Sequence, residues 1–410
     1  MYFNLEFADF LEPDFPINYI YDVSNYGILI GLLFIFIKVC TTLKERSIFF
    51  YSLLMLSPFL FNGFLIDWYL FPDQSKYLGT SRELRETFFD FDNTLEIYNY
   101  NINGNVLYNS VKVNLPSFFY NLFPTTNFET YRSIGFINRF LYIIMIILLI
   151  DKKNIPFLIK LFLIFSPSLA LYSSISLRET LILVLMVFLF YSLLNKNYLN
   201  IIISIPFLFL IKEQNVLIVL MPLLLYSIYD RKKNKILITI ILCLILLLIT
   251  LFFEEQIFLK LNKVSYGFFS EHYGGYKGLY LKDAFETYKL ENIISKIFTG
   301  AFKLIISPYP NINSLFISII FFENLLIFYL IYTNLFLKFS KKNELEKKIS
   351  IYWIVTLIFS ILIYSIIAFN DGTIHRYKII IMSFVLIGFN IHLTNKKHLN
   401  RSLRINYSKK

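Results

Sequence analysis

The chain has 410 residues, of which 57% are hydrophobic and only 16% are charged. A soluble protein of this length needs a polar surface over its core, and this composition does not supply one. The net charge is +11, but the basic residues lie in short segments between apolar runs, which excludes a nucleic-acid partner. Both cysteines, Cys40 and Cys243, lie inside apolar runs, which excludes a disulfide framework. The composition therefore predicts an integral membrane protein whose solvent is the lipid bilayer.

Apolar runs long enough to cross the bilayer recur along almost the whole chain. The predicted spans cover residues 26–43, 47–66, 134–150, 154–173, 178–194, 235–253, 312–337, 349–369 and 377–393. The region 198–229 differs, because Lys212-Glu213-Gln214 separates two short apolar stretches, and we expect a membrane hairpin with its polar tip near one surface. The expected fold is an all-α, polytopic transmembrane bundle with about 10–11 membrane segments.

Basic residues in the short connections predict the orientation, because lysine and arginine favour the cytoplasmic side. Of the 39 basic residues, 21 fall in six segments that contain only five of the 28 acidic residues: 38–47, 151–153, 195–197, 230–235, 338–348 and 394–410. Placing these segments in the cytoplasm puts the N-terminus outside and the C-terminus inside. We therefore expect one transmembrane domain over 1–393, with long outer loops at 67–133 and 254–311, followed by a basic cytoplasmic tail at 394–410.

The predicted cytoplasmic connections are short, and none contains a Walker A motif or a glycine-rich phosphate loop. Any chemistry is therefore expected at the outer membrane surface and without ATP. Ionisable side chains inside or beside membrane spans are costly, so each needs a partner or a function. Four groups of such residues are predicted to lie at one depth.

The first group follows the second span. Asp67 and Asp73 lie among aromatic residues of the membrane interface, with charged residues just beyond them. A carboxylate here could activate the hydroxyl of an acceptor, and Asp67 with Asp73 could bind a divalent metal, although the scheme requires no metal or other cofactor. The alternative is an aromatic belt capped by solvated charges.

The second group is a hydroxyl-rich corner over 166–179 that ends in Arg178 and Glu179. An arginine at this position can bind a phosphate through two parallel hydrogen bonds, next to serine hydroxyls and the N–H groups of a helix N-terminus. The alternative interpretation is an Arg178–Glu179 pair that caps the following helix.

The remaining groups are the tip at Lys212 and Glu213, and the turn before the last span with His375 and Arg376. The tip serves either as a charged site or as a snorkelling pair that stabilises the hairpin. The turn supplies a titratable base and a cation for phosphate, or is an ordinary polar turn. His272 lies in a loop rich in tyrosine and glycine, which is typical of a sugar-binding lid or of a plain surface loop.

Five short elements resemble those of Wzy-like and EpsG-like oligosaccharide repeat-unit polymerases and related multi-spanning, GT-C-like membrane glycosyltransferases. They are the Pro167-Ser168…Ser173-Ser174…Leu177-Arg178-Glu179 corner, the Lys212-Glu213 tip, the Ser307-Pro308-Tyr309-Pro310 break, the Gly372-Thr373…Arg376 turn and the Asp73…Tyr77 spacing. The resemblance implies a donor sugar linked to a polyprenyl (di)phosphate, with arginine and carboxylate residues of the outer face handling the phosphate and the acceptor hydroxyl. It also implies a bacterial inner-membrane location and other polysaccharide-assembly membrane proteins as partners.

The resulting hypothesis is a membrane glycosyltransferase or polymerase that assembles a surface polysaccharide at the periplasmic face. Its catalytic residues would be Asp73, Arg178, His375 and Arg376, and its substrate-binding residues would be Asp67, Tyr77, Glu179, Lys212, Glu213 and His272. A transporter or lipid-linked oligosaccharide flippase is the main alternative, and it predicts polar groups deep in the membrane and broken helices in both halves. A non-catalytic assembly scaffold is the third hypothesis. The glycosyltransferase hypothesis requires that loops distant in sequence meet in one pocket.

Overall fold

A computed structural model describes most of the chain. The described residues are 17–43, 46–65, 73–86, 107–125, 128–152, 155–231, 290–309, 315–337, 343–366 and 371–407. Within these ranges the regular secondary structure is helical and includes no strand. The all-α class expected from the sequence is confirmed. The predicted span 235–253, the candidates Asp67 and His272, and most of the 254–311 loop lie outside the described residues.

In the described part of the chain, five helical segments are long and apolar enough to cross a membrane. They are Tyr19–Cys40, Tyr198–Leu225, Ile317–Leu337, Glu344–Ser365 and Ile374–Asn395. Three shorter apolar segments accompany them: Ser47–Phe61, Ser133–Leu149 and Glu179–Leu194. The chain is therefore a helical membrane protein, and its orientation and number of passes stay predictions.

The helices divide into two compact units. The N-terminal unit consists chiefly of the residues up to Leu217, and the C-terminal unit chiefly of Ile218–Leu325 and Tyr332–Met382. Each unit is described by itself.

Besides residues 326–331 and 383–407 of two later helices, the N-terminal unit contains ten helices among the described residues, the last of which continues into the C-terminal unit. They are α1 Tyr19–Cys40, α2 Arg46–Leu54, α3 Ser57–Phe61, α4 Asp73–Glu86, α5 Leu107–Asn121, α6 Ser133–Lys152, α7 Phe157–Phe165, α8 Pro167–Tyr172, α9 Glu179–Leu194 and α10 Tyr198–Arg231. Helix α6 is central, since it packs against α1, α3, α7 and α9. Almost every described side chain of its first half is buried.

Two of the spans predicted as continuous helices are interrupted, and proline accounts for both breaks. In the predicted span 47–66, α2 ends at Leu54 and α3 begins at Ser57 with Pro58 in its first turn. In the predicted span 154–173, α7 ends at Phe165 and Pro167 opens α8. Proline lacks the N–H that a helix interior needs but fits a first turn. Ser166 caps α8 by accepting a hydrogen bond from the N–H of Leu169 at 3.1 Å.

Where the structure describes the first predicted outer loop, 67–133, it shows the helices α4 and α5, which pack against each other. Arg85 of α4 reaches the end of α5. It donates hydrogen bonds to the carbonyl oxygens of Thr125 (2.7 Å) and Phe123 (2.9 Å) and to the side-chain oxygen of Asn121 (3.0 Å). A cation suits this position because carbonyl groups at a helix C-terminus have no partner within the helix.

Helix α10 covers the region predicted as a hairpin. Lys212 has an extended backbone (φ −162°, ψ 89°), so two helical arms meet at this residue. The polar tip predicted from the sequence thus coincides with an interruption of the helix. The return of the second arm as a hairpin stays a prediction.

The C-terminal unit contains α11 Leu290–Ile306, most of α12 Leu315–Tyr332, a π-helical turn Thr333–Leu337, α13 Glu344–Ser365 and the first part of α14 Asp371–Tyr407. Helix α11 ends at Ile306, just before the break predicted at Ser307–Pro310. Helices α11 and α13 touch closely, because a Cβ atom on Gly300 would lie 2.2 Å from the carbonyl oxygen of Ser365. Helix α14 continues without a break through the expected domain boundary at 393/394.

Candidate functional site

The site begins with a corner that links α8 to α9. Residues 173–178 form no regular helix, and their backbone polar groups are held by side chains from neighbouring helices. Asn138 of α6 donates to the carbonyl oxygens of Ile175 (3.0 Å) and Leu177 (2.6 Å). Tyr120 of α5 donates to the same Leu177 oxygen at 3.2 Å. Buried irregular backbone is stable only when its polar groups are satisfied, so these bonds hold the corner in one conformation.

A second set of contacts joins the corner to the first turn of α4. Gln74 accepts hydrogen bonds from the N–H of Ser176 (2.9 Å) and the side-chain amide of Asn62 (3.0 Å). The hydroxyl of Ser176 donates to the carbonyl oxygen of Tyr131 at 2.6 Å. Gln74, Asn62 and Ser176 are fully buried or nearly so. The serine-rich corner is thus anchored from three sides.

Arg178 leaves this corner and reaches the break in α10. Its Nη1 lies 3.5 Å from the carbonyl oxygen of Ile211, the residue before Lys212. The Lys212 side chain is 5% exposed, and Arg178 is half-buried. Two of the predicted phosphate-binding residues therefore lie in one neighbourhood of the N-terminal unit.

Tyrosines and a carboxylate complete this neighbourhood. Burial raises the pKa of the Tyr120 phenol well above its usual value, and nearby Tyr77 and Glu179 act in the same direction. The Arg178 charge opposes them. Tyr77 and Glu179 are each 5% exposed. Arg178, Glu179 and the phenols of Tyr77 and Tyr120 supply one cation, one carboxylate and two hydroxyl groups, which can bind an anion and position a hydroxyl group.

Asp73, the expected general base, lies on the exposed side of α4. Its carboxylate is 3.6 Å from the ammonium group of Lys76, and both side chains are about half exposed (42% and 54%). The next residue, Gln74, points into the core instead. Glu213 is half-buried beside Lys212. The roles assigned to Asp73 and Glu213 stay predictions.

Arg376 and His375 belong to the first turns of α14 in the C-terminal unit. His375 is buried and Arg376 is half-buried. Nearby, Lys378 is 1% exposed and donates to the carbonyl oxygen of Ser307, which also accepts from the side chain of Asn324 at 3.4 Å. Sequence reasoning assigned no role to Lys378. A common pocket for Arg376 with Arg178 and Lys212 stays a prediction.

Sequence reasoning also missed a buried ion pair. Arg132 donates from Nη1 to the carboxylate of Asp22 at 3.1 Å, and from Nε to the carbonyl oxygen of Asn62 at 2.7 Å. The Thr130 hydroxyl donates to the other Asp22 oxygen at 2.6 Å. Asp22 preceded the first predicted span and Arg132 preceded the third, so neither residue looked intramembrane. Only the folded chain brings them together.

Arg139 is the third buried cation of the N-terminal unit and is 2% exposed. It donates from Nε to the carbonyl oxygen of Leu54 at 2.9 Å and from Nη1 to the hydroxyl of Ser173 at 2.8 Å. The sequence alone could have identified Arg139, because a charged side chain inside the predicted span 134–150 has a high free-energy cost and is therefore a functional candidate.

Among the described residues, no group of three or more histidine, cysteine, aspartate or glutamate side chains could hold a metal ion. Comparison of the chain with protein-family models, with curated proteins and with solved structures finds no match. The resemblance noted from short motifs therefore enters only as a proposal.

Proposed function

We propose that the protein is a membrane glycosyltransferase or polymerase that assembles a surface polysaccharide of O-antigen or capsule type. Its donor would be a sugar or oligosaccharide linked to a polyprenyl (di)phosphate, used at the periplasmic face of a bacterial inner membrane. The observation that carries the proposal is the position of Arg178 beside the helix break at Lys212.

An anionic ligand bound beside the helix break would be stabilised by the Arg178 guanidinium and, in this proposal, by the Lys212 ammonium group. A phosphate suits arginine, whose planar guanidinium forms two parallel hydrogen bonds to it. The apolar helices around the site match the polyprenyl chain of such a donor.

In the proposed reaction, the acceptor hydroxyl oxygen attacks the anomeric carbon of the donor sugar. The new bond is a glycosidic C–O bond, and the bond between the anomeric carbon and the phosphate oxygen breaks. Asp73 takes the hydroxyl proton, and the lipid (di)phosphate leaves with the electron pair. Arg178 and Lys212 stabilise the negative charge that develops on the leaving group.

The test uses a strain that lacks the gene and is complemented with variants. Arg178→Ala is expected to abolish long glycan chains on a gel, because losing one such charge-stabilising group slows a reaction by roughly 10²-fold or more. Arg82→Ala is the control, since Arg82 lies on α4 and its ion pair with Glu129 is long (3.9 Å) and partly exposed. Immunoblots confirm equal amounts in the membrane. A full-length glycan ladder from Arg178→Ala contradicts the proposal.

A transporter or flippase for lipid-linked oligosaccharides is the second candidate. It is favoured by the buried Asp22–Arg132 pair and by Arg139, because polar groups within membrane helices are typical of transport pathways. Purified protein in detergent separates the two functions, since detergent micelles have no compartments. Extension of a lipid-linked oligosaccharide in micelles supports the transferase. Movement of the oligosaccharide across vesicle membranes without extension supports the transporter.

A further inference from the structure

A groove of about 650 Å³ lies in the N-terminal unit between the broken helices α2–α3 and α7–α8. Its walls are apolar and include Leu53, Leu60, Phe64, Phe165 and Ala170. Its volume falls in the usual range for small-molecule sites. The groove exists because both prolines interrupt their spans.

The walls of this groove face outward from the unit. Leu53 is 50% exposed, Leu60 is 45% exposed and Phe165 is 61% exposed. Leu53 and Leu60 belong to the apolar segment Ser47–Phe61. In a membrane protein, exposed apolar side chains on such segments contact lipid rather than water. A ligand therefore enters from the bilayer and carries an apolar chain.

The polar group in the lining that bears a charge is Arg139. Its Nε and Nη1 atoms bind a carbonyl and a hydroxyl oxygen, both of them neutral acceptors. No carboxylate among the described residues pairs with it, and its Nη2 has no hydrogen-bond partner among them. A buried guanidinium inside membrane helices is costly unless an anion neutralises it. The groove supplies the apolar surface for such a ligand but not the anion.

The depth of Arg139 is compatible with a lipid headgroup. It lies six residues after Ser133, which corresponds to about 9 Å along the helix axis. Helical side chains point back toward the N-terminus, so the guanidinium lies nearer the polar end of α6 than its Cα atom does. Its contact with Ser173 in the α8–α9 corner agrees with that direction.

We propose that this groove binds an anionic phospholipid of the bilayer, with an acyl chain along Leu53, Leu60 and Phe165 and the phosphodiester on Arg139. Charge complementarity favours this occupant. One unneutralised guanidinium matches the single negative charge of a phosphodiester, and the apolar wall matches an acyl chain. Arg139 also contacts Ser173 of the α8–α9 corner, but lipid binding in the groove does not depend on the proposed transferase activity.

The experiment is native mass spectrometry of the purified full-length protein, titrated with phosphatidylglycerol or with zwitterionic phosphatidylcholine. We expect the wild-type protein to retain phosphatidylglycerol with about tenfold higher affinity, which equals roughly 1.4 kcal/mol. Arg139→Gln should abolish this preference. Lys160→Gln should keep it, since Lys160 lies on α7 but does not line the groove.

A second variant tests the proposal even if Arg139→Gln does not fold. Leu60→Trp fills the groove from its exposed wall without removing a hydrogen bond of Arg139, and it should also abolish phosphatidylglycerol retention. Equal binding of the two lipids, or a preference that survives both variants, overturns the proposal. Tighter binding of undecaprenyl phosphate than of phosphatidylglycerol, sensitive to both variants, also overturns it, because the occupant is then the polyprenyl lipid.

Discussion

The buried Asp22–Arg132 pair allows a quantitative prediction for the stability of the N-terminal unit. The two side chains are 0% and 2% exposed, and their N–O distance is 3.1 Å. Removing one partner of a buried pair leaves an uncompensated charge and typically costs about 3–5 kcal/mol. Arg132 would keep its bond to the Asn62 carbonyl after Asp22→Asn. We therefore expect this variant to lose about 3 kcal/mol, at the low end of that range.

A double-mutant cycle isolates the pair. Arg132→Met leaves Asp22 with only the Thr130 hydroxyl as a partner among the described contacts, so its cost should lie nearer 5 kcal/mol. The double variant buries no charge. Its loss should fall short of the sum of the single losses by about 2 kcal/mol or more, as is typical of residues in direct contact.

The measurement is the free energy of unfolding in detergent micelles, obtained by steric trapping or by titration with a denaturing detergent. The Arg82–Glu129 pair is the matched control, because its atoms are 3.9 Å apart and its side chains are 31% and 17% exposed. Its coupling energy should stay below about 1 kcal/mol. Equal coupling energies for the two pairs would refute the reasoning that burial decides the cost.

Three further substitutions test the packing. Gly135→Ala places a Cβ atom 2.2 Å from the carbonyl oxygen of Ser174, so this variant should lose about 1–3 kcal/mol of unfolding free energy. Gly31→Ala is its control, because a Cβ atom there meets no atom within 4 Å, and it should be neutral or slightly stabilising. Asn138→Leu removes two hydrogen bonds to the corner carbonyls and leaves the one from Tyr120, so it should cost about 2–4 kcal/mol and also lower activity in the glycan assay. Gly300→Ala should destabilise the C-terminal unit by a similar overpacking cost, measured as a loss of thermal stability in detergent. A neutral result for Gly135→Ala would contradict the tight contact at the corner.

Parts of the site could be predicted because single sequence segments reveal them. The interruption at Lys212 follows from charge inside an apolar run, and the structure confirms a break at that residue. The corner before Arg178 follows from serine and proline clustering between two apolar stretches. Arg139 was also visible in the sequence, as an arginine inside a predicted span. Its partners, Leu54 and Ser173, were not visible, since they come from other helices.

Asp73 and Gln74 illustrate what remained undetermined. Both residues begin α4, and a carboxylate beside the membrane looked more reactive than an amide. The helix turns Asp73 toward Lys76 and Gln74 toward the Ser176 N–H. The sequence shows which residue types are present. Which side of α4 faces the core depends on the helices that it packs against, and the sequence pattern does not give that.

Helical class, membrane residence and the places where helices break are local properties. They depend on the hydrophobicity of a segment, on charge within it and on the missing N–H of proline, all of which act over a few residues. The pairing of Asp22 with Arg132, the anchoring of the corner by Asn138 and Gln74, and the lipid-facing groove at Arg139 depend on side chains that are far apart along the chain. Such contacts form only when packing closes the bundle, because the cost of burying each polar group selects the partner that satisfies it.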